Sequence, residues 1–391
     1  TGLTTVNFNA TNCTTVRDWI FRGCSNIHTI NISENVKTLS YNTFGGCTGL
    51  TTVNYNATNC TGGYDTFRSA YYSLSTVNIG DNVTTIPERL FTGYEGLATF
   101  NGKFASADNR CLIIDDELVA FAPKNLTSYS IPNTVTAIGD YAFKDCSGLT
   151  SVTIPNSVTE IGYMAFYECT GLTNVTMGNS VTTIDHYAFY KCTGLTSISI
   201  PNSVTTIGNS AFLGCKGLTT ITIPSSVTSI SDYAFFGCKG LTTITIPSSV
   251  TSIGNYAFRG CSGLTTITIP GSVTSIGTES FNYCDNLKQY YVPSSNPAVC
   301  QYNSFGTEND GILYVPRGIA DKYMLATGWK AFRYILEYDF AGVEDVIADK
   351  EVASVKYFNL AGIESDEPFD GMNVVITTYT DGTQNIEKIV K

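Results

Sequence analysis

The sequence predicts an α/β solenoid built from short stacked coils, and three observations carry that prediction. One set of residues recurs at a step of 23. Each recurring unit holds a strand-like segment closed by a proline. Each unit is also too short to bury its own apolar side, so neighbouring units must bury one another. Pro132, Pro155, Pro201, Pro224, Pro247 and Pro270 keep the step, with Gly178 in the gap. Phe143, Phe166, Phe189, Phe212, Phe235, Phe258 and Phe281 keep it too. So do Cys146, Cys169, Cys192, Cys215, Cys238, Cys261 and Cys284, and Leu149, Leu172, Leu195, Leu218, Leu241, Leu264 and Leu287. The unit reads I-P-x-S-V-T-x-I-x-x-x-A-F-x-x-C-x-G-L-T-x-I-x.

Within a unit, Leu-Thr-x-Ile-x-Ile, Leu218 to Ile223, has the spacing of a short strand with one buried face. Pro224 has no N–H to extend a ladder, so the strand ends there. Val227 and Ile230 form a second apolar pair. Ala234-Phe235, with Cys238 three residues on, predicts a single tight helical turn. Stacking lays Leu on Leu and Phe on Phe, each burial worth roughly 1.5–3 kcal/mol. The first hundred residues carry a looser version. Leu3, Ile27, Leu50, Leu74 and Leu97 are followed by Phe21, Phe44, Phe67 and Phe91, and GLTTVNFNATNC at Gly2–Cys13 returns as GLTTVNYNATNC at Gly49–Cys60.

These residues resemble the BspA-type leucine-rich repeat, also described as the Treponema pallidum-like class, over about residues 1–316. The resemblance implies a right-handed leucine-rich-repeat solenoid with a parallel β-sheet on one face and short helical turns opposite. It also implies export to a bacterial surface and adhesion to host proteins or other cells.

Repeats are expected over 1–97, starting mid-repeat at Thr1-Gly2-Leu3, and over 131–316. Residues 98–130 break the step. Cys111–Ile114 and Leu118–Phe121 flank Asp115-Asp116-Glu117, which predicts an inserted β-hairpin with a polar tip. In residues 317–337, Ile319, Tyr323, Trp329, Phe332 and Ile335 share one helical face, which predicts a helical cap on the open core. Residues 338–350 read as a polar linker. Residues 351–391 read as a small β module with strands at Val355–Leu360, Val374–Thr378 and Ile386–Val390 and a turn at Thr380-Asp381-Gly382. With YFNLAG at Tyr357–Gly362 it resembles C-terminal modules of secreted Bacteroidetes proteins, some of which are sorting signals. The mid-repeat start leads us to expect a processed chain whose signal peptide has been removed.

Composition narrows the function. Of 391 residues only 14% are charged, while 54 are threonine. With 43% apolar residues the chain is too rich for disorder. No apolar run reaches the roughly 18 residues of a membrane span. A net charge of −11 disfavours nucleic acid, which needs clustered Lys and Arg. A charge on the repeated outward positions would face its own copy about 5 Å away and be repelled, so hydroxyls take its place.

Catalytic and metal signatures are missing from the sequence. His28 and His186 have no second ligand at metal spacing. His186 precedes Cys192 by six residues, but Cys192 belongs to the core column and His186 to a surface turn. The thirteen cysteines cannot all pair in one chain; those in the column are expected as buried thiols. Asp115-Asp116-Glu117 offers carboxylates for Ca²⁺, but adjacent turn residues point apart, and a solvated tip is the simpler reading. No cofactor is expected.

Two outward arrays remain as candidate binding residues. One is a two-column hydroxyl face that includes Thr220, Thr222, Thr243, Thr245, Thr266 and Thr268. Such arrays resemble ice-binding faces, which need a flatness that curved leucine-rich sheets lack. The other is aromatic: Tyr141, Tyr187, Tyr233 and Tyr256 just before Ala, with Tyr167, Tyr190 and Phe236 just after Phe. Surface aromatics serve binding hot spots and stack on sugars. The expected function is a non-enzymatic surface or secreted binding protein with an extracellular protein as partner. A carbohydrate-binding module for host or dietary glycans, or a structural spacer, is the alternative.

Overall fold

Alternation of apolar and hydroxyl residues makes the first sheet. A computed structural model describes residues 2–8, 15–16, 19–307, 309–340, 352–359, 364–367, 372–379 and 384–390. The chain divides into two compact units, Thr1–Thr220 and Ile221–Lys391. In the first unit Thr5–Phe8, Thr29–Ile32, Thr52–Tyr55, Thr76–Ile79 and Thr99–Gly102 pair parallel, threonine on threonine and asparagine on asparagine. Ser128–Ser130, Ser151–Thr153 and Asn174–Thr176 do the same. Their middle residues Tyr129, Val152 and Val175 are buried and the flanking ones face out.

The second apolar pair of each repeat forms a further parallel sheet. In the first unit the hairpin strands Cys111–Ile114 and Glu117–Phe121 pair antiparallel. The second of them continues, all parallel, into Ala137–Ile138, Glu160–Ile161, Thr183–Ile184 and Thr206–Ile207. Asp115 and Asp116 both have positive φ, at 50° and 64°, as a two-residue type I′ hairpin turn requires. The insertion thus joins the solenoid wall, and its Phe121 places a ring 4.6 Å from Phe143.

The third side differs from the sequence expectation. The Ala-Phe segments are hydrogen-bonded turns, not helical turns; within the repeats a 3-10 helix occurs at Arg68–Ala70. The residue two before each Phe is left-handed: Tyr141, Met164, Tyr187 and Ser210 in the first unit, Tyr233, Tyr256 and Glu279 in the second, with φ between 50° and 59°. The residue two after is left-handed as well, from Asp145, Glu168, Lys191 and Gly214 to Gly237, Gly260 and Tyr283. Left-handed backbone costs an L-residue about 1–2 kcal/mol. In exchange, successive alternate N–H groups point at the next coil. Tyr141, Phe143 and Asp145 donate to the carbonyls of Tyr163, Ala165 and Tyr167 at 2.8–2.9 Å. In the second unit Tyr233, Phe235 and Gly237 donate to Asn255, Ala257 and Arg259, each at 2.8 Å. A helical turn would point these donors along itself and leave the neighbouring coil unpaired.

Inside this wall the phenylalanines stack. Rings of Phe143, Phe166, Phe189 and Phe212 lie 4.8, 5.1 and 5.4 Å apart. In the second unit Phe235, Phe258, Phe281 and Phe305 lie 5.3–5.5 Å apart. Trp329 closes this column 4.8 Å from Phe305, with its indole N–H on the Ala298 carbonyl at 2.8 Å.

The helical cap expected over 317–337 is shorter. The α-helix covers Ala320–Leu325 and a 3-10 turn Trp329–Ala331. Phe332–Tyr338 is instead a strand, parallel to Asn309–Pro316. Phe332 and Ile335 are spaced for one helical face, but the open edge of the strand Asn309–Pro316 beside them needs a partner for its backbone groups. After it, Val352–Asn359, Glu364–Ser365, Met372–Tyr379 and Gln384–Val390 pair antiparallel, and Tyr357 is buried with Tyr291, Tyr314 and Leu336. The expected turn at Thr380–Gly382, Leu360–Gly362 of the YFNLAG stretch, Cys13 and 341–350 of the linker lie outside the described residues.

The column cysteines have a second role beside packing. Cys169, Cys192 and Cys215 donate their thiols to the carbonyls of Phe143, Phe166 and Phe189 one coil back, at 2.9, 3.1 and 3.0 Å. Cys261 and Cys284 do so to Phe235 and Phe258 at 3.1 Å. Two outcomes test this packing. Phe166→Ala should lower stability by about 3–5 kcal/mol in urea unfolding. Cys192→Ser should cost no more than Cys192→Ala, because serine keeps a donor for the Phe166 carbonyl; the reverse order would show that the carbonyl needs no second donor.

Candidate functional site

The outward hydroxyl face is present as the alternation requires. Thr220 is exposed in the first unit; in the second, Thr222, Thr243, Thr245 and Thr268 are exposed and Thr266 half-buried. In the second unit the columns end where Thr268 pairs with Tyr291 and Tyr291 with Tyr314. Other threonines have an internal task. Thr150 and Thr173 direct both backbone N–H and hydroxyl at the carbonyl of Thr127 and Thr150 respectively, at 2.7–3.0 Å. Thr251 and Thr274 do the same in the second unit, at 2.8–3.2 Å.

An asparagine column on the first unit's front sheet went unread in the sequence. Asn31 donates its amide to Asn7, Asn54 to Asn31 at 2.5 Å, Asn78 to Asn54 at 2.6 Å, and Asn101 to Asn78 at 2.8 Å. Its signal was available, since these asparagines step with Leu3 to Leu97.

The aromatic residues do not form one uniform surface. Tyr141 is buried, contrary to its expected place in an open column. The Arg89 guanidinium lies 3.9 Å above its ring and 5.0 Å from that of Tyr64. Tyr187, Tyr233 and Tyr256 are half-buried. In the first unit rings run edge to face from Tyr141 to Tyr163 (5.4 Å), Tyr187 (5.9 Å) and Tyr190 (5.8 Å), and Tyr190 stacks on Tyr167 at 4.7 Å. In the second unit Tyr233 stacks on Tyr256 at 4.7 Å, and Arg259 lies over Tyr256 and Tyr283.

A cleft of about 310 Å³ opens beside Arg89. It lies where the second sheet is interrupted: Thr61–Gly62 ends one run, the hairpin begins the next, and Thr84–Ile86 between them forms no strand. Half-buried Ile86 and Val119 floor it, and Glu88, Glu117 and Asp140 line it. Burial, then the charges of Asp140, Glu160 and Glu88, push the Glu117 carboxyl above its usual value. Burial raises Asp140 likewise, opposed by the Tyr163 N–H at 2.8 Å, with Glu88 and Asp185 adding to the rise. Gly139 permits this crowding, since a Cβ there would collide with the Glu117 carboxylate.

No group of three or more metal-binding side chains occurs among the described residues. The exposed His186 accepts the Asn209 N–H through Nδ1 at 2.7 Å, while the Cys192 thiol points at Phe166. Each is thus committed to a different neighbour, which leaves no Cys-His pair. Asp115 and Asp116 are exposed at the hairpin tip, whereas Glu117 lines the cleft.

The twelve described cysteines carry thiols rather than disulfides. Burial pushes Cys47 up to about 11, with Cys24 adding to the rise, and pushes Cys111, Cys284 and Cys300 up to about 12. Folding therefore favours the protonated thiols. Their contribution is complete below the ordinary thiol value of 9.0 and is lost as pH rises toward 11–12. Stability should fall steadily above pH 9. With Cys13→Ser, a disulfide-exchange reagent at pH 8 should label Cys24 quickly in the native chain and the buried thiols only on unfolding.

The chain matches the family described as BspA type leucine rich repeat region, in six copies over residues 1–98, 117–241 and 182–309. Among solved structures it is similar to a leucine-rich repeat protein of Bacteroides ovatus, with 21% identity, a TM-score of 0.48, and coverage of 85% of this chain and 92% of that one. It is also similar to the leucine rich repeat protein of T. pallidum (26%, 0.35, 48% and 79%). A leucine rich cell surface protein of Faecalibacterium prausnitzii is a third such structure (22%, 0.39, 74% and 79%). No curated protein matches the chain.

Proposed function

Because the chain belongs to the BspA type leucine-rich-repeat family, we propose that it is a non-enzymatic binding protein, secreted or held at a bacterial surface, that presents a rigid solenoid face to an extracellular protein. The observation that carries this reading is that each unit has a half-buried tyrosine edge. Tyr163, Tyr187 and Tyr190 in the first unit, and Tyr233 and Tyr256 in the second, are locked by ring contacts and by backbone bonds to a neighbouring coil. Aromatic side chains fixed in this way offer contact area at little further entropy cost. The hydroxyl columns beside the buried strand residues extend the face with donors and acceptors. In the same reading the solenoid is right-handed and residues 351–391 form a small β module.

Fluorescent chain should bind intact host or bacterial cells, and protease treatment of the cells should remove the binding. Loss only after glycosidase treatment would move the protein to the carbohydrate-binding reading, and no binding to either cell type would leave the spacer. Tyr187→Ser, Tyr233→Ser and Tyr256→Ser together should weaken cell binding about tenfold in a chain that still folds, as judged by its circular dichroism at the assay temperature. Full binding by this triple variant would remove the tyrosine edge from the account.

A further inference from the structure

The cleft at the break in the second sheet differs in charge from the rest of the wall. Among the described residues, Glu88, Glu117 and Asp140 have no lysine, arginine or histidine nitrogen within ion-pair distance. The ion pairs Lys144–Asp145 and Lys191–Glu168, at 3.1 and 2.9 Å, lie elsewhere in the same unit. The one cation lining the cleft, Arg89, is already held between the rings of Tyr64 and Tyr141. That contact shows which chemistry this edge accepts: a guanidinium between tyrosine faces. Beyond Tyr141 the same edge continues through Tyr163 and Tyr187, with Glu160 and Asp185 close enough to raise Glu117 and Asp140. Apolar floor, carboxylates and tyrosine faces therefore lie along one edge of the first unit.

We propose that this edge, from the cleft between Ile86 and Val119 to the tyrosines Tyr163 and Tyr187, is the docking track for an extended arginine- or lysine-bearing segment of a protein partner. The proposal rests on the protein-binding reading and names the partner's chemistry. One cationic side chain enters the cleft, lays its aliphatic stem on Ile86 and Val119, and brings its charge to Glu88, Glu117 and Asp140. Later cations of the same segment meet tyrosine faces and the carboxylates of Glu160 and Asp185. Docking relieves a repulsion that exists in the unliganded chain, which is why a cation is favoured here over an anion or a neutral sugar.

The test uses the whole chain and a fluorescent (Arg-Gly)5 decapeptide at about 0.15 M salt, where long-range attraction by the net negative charge is screened. Its neutral isostere, the citrulline decapeptide, is the second probe. The arginine probe should bind at least about tenfold more tightly than the citrulline probe. Glu88→Gln, Glu117→Gln and Asp140→Asn together should weaken the arginine probe about tenfold. Glu364→Gln, Asp366→Asn and Glu367→Gln, which remove the same charge from the tail, should change it less than about twofold. Equal binding of the two probes, no binding of the arginine probe, or equal loss in the two variants overturns the proposal. If the cleft variant does not fold, the two-probe comparison on the natural chain decides alone. Protease-sensitive cell binding without an arginine preference overturns this inference and leaves the broader reading standing. An arginine preference without any cell binding overturns the broader reading instead.

Discussion

Hydrogen bonds between successive coils run along three sides of each unit, and on each side they dictate the side chains. On the front, like residues pair with like at the parallel-sheet spacing of about 4.8 Å. A side chain placed there must therefore tolerate its own copy. Threonine and asparagine do more than tolerate it. Thr150 and Thr173 send hydroxyls back to the preceding coil, and Asn54 passes its amide to Asn31 while accepting from Asn78. A lysine or glutamate in those columns would meet only repulsion. The low charge of the repeats is thus a consequence of the register, and so is the choice of what replaces charge.

The third side shows the same constraint acting on the backbone. Three N–H groups per coil reach the next coil only if the residues two before and two after Phe turn left-handed. Tyrosine, methionine and lysine adopt that conformation here without the freedom of glycine. Three hydrogen bonds of about 1 kcal/mol each, with a buried ring between them, offset the two strained residues. The cysteine column belongs to this arrangement. The carbonyls of Phe143, Phe166, Phe189, Phe235 and Phe258 each receive a Cys N–H from their own turn and the thiol of the next coil, so a small side chain with a weak donor suits the position better than alanine or valine would.

The Phe, Leu and Pro registers were legible because stacking needs identical residues at identical steps. The left-handed turns were not, because Tyr187 or Lys191 carries no local preference for them; the neighbouring coil imposes the conformation. Gly214, Gly237 and Gly260 at the same position were the one available signal. Phe332 and Ile335 misled for a related reason: their spacing fits a helix, and only the open edge of the strand Asn309–Pro316 makes them part of a strand. Tyr141 shares its register with Tyr187, but Arg89 comes from a coil on the other side of the insertion, and no periodicity within the repeats reveals such a contact. The cleft was illegible for the same reason, being assembled from Ile86–Thr92, the hairpin and Asp140.

That last point bears on where specificity can reside. A perfectly regular solenoid offers each coil's environment many times over, so a partner could shift by one coil at little cost. A unique docking position needs a feature that occurs once. In the first unit the insertion supplies it, because the second sheet stops after Thr61–Gly62 and restarts from the hairpin with three unneutralised carboxylates at the gap. In the proposed docking mode the regular tyrosines act as extension, adding contact area in steps of one coil. The break would fix the register in which that area is used. In the proposed mode the insertion would be part of the binding surface itself, and Glu117–Phe121 pairing and the Phe121 ring, which join its hairpin to the wall, would give that docking position the rigidity of the repeats beside it.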